Sequence, residues 1–154
     1  MESIEVLVRD SGNLLARYRN VVLQVRTGEM TLPMLQRIES AALLARAATS
    51  GNVGAVAIIE EGAVLASADI RAEQAAVVRR LLRDPRTHFV TVVVGQSVGT
   101  RAINTVMRLL LLGVPRLRSM GRIDEAIEWL APKLGNVTPS ELRRVIEDAR
   151  AQLR

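Results

Sequence analysis

At 154 residues the chain has the length of one domain and can bury a substantial core. Hydrophobic residues make up 49% of it, which argues against disorder, and the lack of cysteine excludes a disulfide framework and thiolate chemistry. The net charge is +5, but the basic residues, all arginine except Lys133, are scattered among carboxylates, and one Phe, one Tyr and one Trp leave no aromatic set for stacking bases, so nucleic acid is not the expected partner.

The N-terminal stretch is charged throughout and has no long apolar core, so no signal peptide is expected. Leu109–Val114 is too short to span a bilayer. The expectation is a soluble, cytoplasmic protein without a membrane span. Ile4–Val8 reads as a half-exposed strand, followed by the turn cluster Asp10-Ser11-Gly12-Asn13. A second extended segment runs from about Leu14, best formed at Val21–Arg26, where Val21, Leu23 and Val25 alternate with a wetter face of Val22, Gln24 and Arg26. The link between the two segments is too short for a helical crossover, so they should pair antiparallel.

Thr31 caps a first helix, with Leu35, Ile38, Ala42 and Ala45 at helical spacing. Val53–Glu60 is a buried-strand pattern. A second helix spans about Asp69–Arg83, with Ser67 and Asp69 both suited to cap it. Phe89–Val94 is β-branched and uninterrupted, as in a strand covered on both faces. The segment from Thr100 to Leu112 carries Ile103, Met107, Leu110 and Leu111 on one helical face, and Gly113 stops it. Arg116–Met120 reads as a short edge strand. A helix over Ile123–Ala131 should end at Pro132. Thr138-Pro139-Ser140-Glu141 is a capping box with proline at the first helical position, opening a last helix with Leu142, Val145, Ile146, Ala149 and Leu153 on one side. The expected fold is α/β, with a mixed four- to five-stranded sheet, an antiparallel N-terminal hairpin and strand–helix crossovers. It divides into residues 1–134 and a C-terminal helical extension, 138–154, whose stripe could pack on the domain, join a homodimer or receive a partner.

Three features carry possible chemistry. Gly95-Gln96-Ser97-Val98-Gly99 matches the G-x-S-x-G nucleophile elbow between a strand and a helix. That reaction needs a histidine after the serine, and the one histidine, His88, precedes it at the far end of the same strand, so no catalytic residue is assigned. Without a Walker lysine a P-loop is excluded. Gly95, Gln96, Ser97, Gly99, Thr100 and Arg101 remain as a candidate anion- or partner-binding turn, where helix N-terminal amides and an arginine favour a phosphate-bearing ligand. Ser67 is a candidate phosphoacceptor or simply a helix cap. With one histidine and no cysteine, neither a metal site nor a cofactor is expected.

The two opening strands, the three strand–helix steps and the late Asp124-Glu125-Ala126-Ile127-Glu128-Trp129-Leu130 resemble the STAS / SpoIIAA-like family of anti-sigma-factor antagonists and sulfate-transporter C-terminal domains. The likeness covers about Glu2–Leu134. It implies a STAS-like fold and a non-catalytic role in bacterial signalling or regulation, exercised by binding another protein. In that family a serine at the start of the second helix is phosphorylated. Ser67 stands at that place, but the family's serine–glycine signature is missing from Glu60–Asp69. The expected contact surface lies around Ser67 and Gly95–Arg101, and the alternative is a small anion- or nucleotide-binding protein using the same turn.

Overall fold

The computed structural model describes residues 2–154. Six strands form one sheet in sequential order: β1 (Glu5–Arg9), β2 (Asn13–Tyr18), β3 (Val21–Arg26), β4 (Val53–Ile59), β5 (Thr87–Val93) and β6 (Leu117–Met120). The first three are antiparallel neighbours, and β3 to β6 run parallel. The sheet is therefore mixed, with the expected N-terminal hairpin, but it has six strands rather than four or five.

The extra strand comes from the segment expected to be continuous between Leu14 and Arg26. It folds back at Arg19-Asn20, with Tyr18 paired to Val21 across a two-residue turn. Such turns need positive φ, which Arg19 adopts at 52° without glycine. The strain is offset locally, because the Arg19 guanidinium bonds Glu2, Glu141 and the Asn136 carbonyl, and the Asn20 amide donates to the Asn52 carbonyl.

Three crossovers carry α1 (Leu32–Ala47), α2 (Ala68–Leu81) and α3 (Val98–Leu110). Each step advances one position in the same direction, so a common handedness stacks all three helices on one face. After the edge strand β6 the chain returns over the opposite face as α4 (Ile123–Leu134), against β4, β5 and β6, and α5 (Pro139–Leu153), against β2 and β3. Both faces are thus covered, which is why β4 and β5 are buried at every position. The larger core lies under α4 and α5, where Leu14, Leu23, Val56, Val90, Leu130, Leu142 and Ile146 pack together.

Two helix boundaries differ from the sequence reading. Pro132 does not end α4. It sits inside the last turn, where only one ladder bond is lost, and the burial of Leu130, Ala131 and Leu134 holds the turn until Gly135 closes it at φ 76°. The α3 helix starts two residues before Thr100 because the Ser97 hydroxyl accepts the Thr100 amide and acts as its cap. Of the options open to the last helix, the structure realises packing on the domain. Leu142, Val145, Ile146 and Ala149 are buried, and the expected capping box is present with both of its hydrogen bonds. Among the described residues no helix is long and apolar enough to cross a membrane.

Candidate interaction site at the carboxyl end of the sheet

The segments after β4 and β5 run side by side. Glu61 reaches across and its carboxylate accepts the Gln96 amide at 2.8 Å and the Ser97 amide at 3.0 Å. This contact depends on Gly95, since a Cβ there would collide with the Glu61 carboxylate and with the Thr100 side chain. Gly99 has no such constraint, as a Cβ would meet nothing closer than 3.9 Å. The two loops singled out in the sequence are therefore neighbours, joined by a carboxylate that sequence reasoning passed over. Glu61 adjoins Glu60 in sequence, and only the sheet brings it to the helix start of another crossover.

The turn behaves as an anion site whose anion is built in. Two amides that would grip a phosphate already grip Glu61, and the Ser97 hydroxyl is engaged with Thr100. A sheet whose crossover helices all lie on one face also has no switch point, the place where nucleotide crevices form in parallel sheets. Arg101 is exposed and points no charge into an enclosed space. Ser67 is exposed and caps α2 by accepting the Ile70 amide at 3.4 Å, while Asp69 lies within the first turn.

Ser97 and His88 are not brought together. His88 is the second residue of β5 and turns toward α4, its ring 6.1 Å from that of Trp129 in an edge-on arrangement. Ser97 lies past the other end of the strand, and at roughly 3.3 Å per residue β5 alone keeps them more than about 15 Å apart. Burial, with Lys133 and Arg116 nearby, pushes the His88 imidazole below its usual range, so it is neutral around pH 7. Trp129 serves packing, against His88 on one side and the Lys133 ammonium 4.4 Å from its ring centre on another.

Beyond the glycine turn, exposed aliphatic side chains stand at both ends of α3. Val98 is 85% exposed, Leu109 70% and Leu112 82%, interleaved with the exposed Arg101 and Arg108. Val64, in the segment beside the turn, is also exposed. The Leu112 end borders an open groove of about 410 Å³ between the end of α3 and β6, lined by Met107, Arg108, Leu111, Leu112, Val114 and Leu117 among others. The α3 helix thus carries apolar side chains on two sides, with Ile103 and Met107 in the core and Val98 and Leu109 outside it, and Leu112 follows just past its end. The sequence reading stopped at the inner side.

Arg26 was also misplaced by the sequence reading, which put it on a wetter sheet face. Helices cover that face, and Arg26 is only 3% exposed. In comparisons with protein-family models and with curated protein sequences, the chain matches none.

Proposed function

We propose that the protein is a non-catalytic interaction module that docks a protein partner on the outer face of α3 and the adjoining loops at Glu61–Ser67 and Gly95–Arg101. The observation that carries this reading is the exposure of Val98 at the start of α3, Leu109 in its last turn and Leu112 just past its end, the three most exposed large aliphatic side chains among the described residues. Isolated exposed leucines are ordinary. Leu109 and Leu112 lie together beside Arg108 at the edge of a groove, with Arg101 and, about 16 Å away, Val98 toward the other end of the helix, which is the composition of an interface with apolar anchors and a charged rim. The surrounding arginines favour a partner that presents apolar side chains beside carboxylates. The resemblance to the STAS / SpoIIAA-like family, with its role in bacterial regulation by protein contact, is in keeping with this reading, as is the capture of the Gln96 and Ser97 amides by Glu61. An anion ligand using the Gln96 and Ser97 amides would have to displace Glu61.

The test is capture of the partner from nuclease-treated native lysate by the wild-type protein and by a Leu109→Glu/Leu112→Glu double variant. Both positions are exposed, so the variant should keep its fold. A partner of defined stoichiometry held by the wild type and lost by the variant is the expected result. A partner retained by the double variant and by Arg101→Glu, or a chain that brings down only itself, contradicts the assignment.

A further inference from the structure

Between the sheet and helices α1, α2 and α3 lies an internal cavity of about 30 Å³. Its lining is mostly apolar, including Met30, Ile38, Ile59, Val78 and Phe89, and into it the sheet contributes Gln24, Arg26 and Thr91. Arg26 is the unusual member. It is 97% buried by the measure of its 3% exposure, its Nη1 has no hydrogen-bond partner, and no carboxylate forms an ion pair with it among the described residues. The nearest acid in the chain past β4, Glu60, belongs to Arg150 through two bonds of 2.8 Å. Burial pulls the guanidinium down only to about 10, so it keeps its charge at neutral pH. A buried charge without a counter-charge is among the most unfavourable arrangements in a protein interior.

We propose that this cavity is a binding site for a small aliphatic monocarboxylate, whose two oxygens pair with the Arg26 guanidinium while its hydrocarbon end rests on the apolar lining. Two physical facts select the ligand class. The planar fork of arginine matches a carboxylate, and the remaining wall offers apolar surface rather than the many donors a phosphate would require. As it stands the volume is enough for about two waters, so a carboxylate enters by taking their place and pushing the Gln74 and Met107 side chains aside. Access is also visible in the lining. Gln74 on α2 is its one residue that is not fully buried, and Thr91 and Met107 form a wall shared with the open groove beside α3. Met107 is unbranched and can rearrange without backbone movement. This inference stands apart from the proposed docking surface and does not depend on it.

The probes are acetate, butyrate and chloride, titrated at constant ionic strength against the wild type and Arg26→Met, with melting temperature and carbonyl-labelled carboxylate NMR as readouts. Arg26→Met removes the buried charge and keeps an unbranched apolar chain, so it should fold at least as stably as the wild type without ligand. The wild type should show a saturable rise in melting temperature and a bound carboxylate signal, with acetate and butyrate both held at least several-fold more tightly than chloride. Arg26→Met should lose both. Arg26→Lys, which keeps charge but not the fork, and Thr91→Val, which keeps shape, should each bind several-fold more weakly. These two variants carry the test if Arg26→Met does not fold. Equal responses of wild type and Arg26 variants, no saturable response to any probe, or chloride binding as tightly as butyrate would overturn the proposal.

Discussion

Glu61 shows how one side chain decides what a loop can bind. Its carboxylate sits where an external anion would sit, and Gly95 keeps the space open for it. Replacing Gly95 by alanine should displace Glu61, free two amides and destabilise the fold by about 1–3 kcal/mol, measurable by urea denaturation. Glu61→Gln should cost less, since a neutral oxygen can still accept one of the two amides. His88 belongs to the same scale. Its folded-state pKa lies below that of the unfolded chain, so unfolding takes up a proton as pH falls below about 6.5. Stability should therefore be full above that value and decline with acid through the depressed folded pKa, and His88→Phe should remove this component from a stability–pH profile. At the lower end, Glu141 is held down to about 2, first by the Thr138 backbone amide and then by the Tyr18 hydroxyl, so the capping box should persist until pH falls toward that value.

At the scale of elements, α5 is the clearest case of a local signal with a tertiary consequence. Thr138, Pro139 and Glu141 specify where the helix begins, and that was legible because a capping box involves four consecutive residues. Where it packs was not legible, because the fixing contacts are remote in sequence. Tyr18 donates to Glu141 at 2.8 Å, and Arg150 clamps Glu60 at the end of β4 with side chains only 15% and 14% exposed. Arg150→Ala leaves the largely buried Glu60 carboxylate without its cation and should cost about 1–3 kcal/mol in chemical denaturation, more than Arg144→Ala on the same helix. The β2–β3 turn escaped detection for the opposite reason. It has no glycine or proline, and its positive φ at Arg19 is stabilised by Glu2, Glu141 and Asn136, contacts that only the folded chain supplies.

Over the whole molecule, sequential strand order makes the architecture simple to read and the function hard to read. Buried β-branched runs and capped amphipathic helices made the α/β class and most elements visible, because period and caps are local. The covered faces made Gln24 and Arg26 misleading, since alternation distinguishes two sides of a strand but not which layer lies over each. With α1, α2 and α3 on one side and α4 and α5 on the other, the sheet offers no switch-point crevice, and the most exposed aliphatic side chains are those at the two ends of α3. The central claim, docking on this surface, is tested most directly by a hydrogen-exchange footprint of the captured complex. The account predicts protection in residues 95–112 and in the adjoining segment 61–67, with α5 and the β1 edge unchanged. Protection confined to β1 or to the α4 and α5 side, with residues 95–112 exchanging as in the free protein, would contradict it.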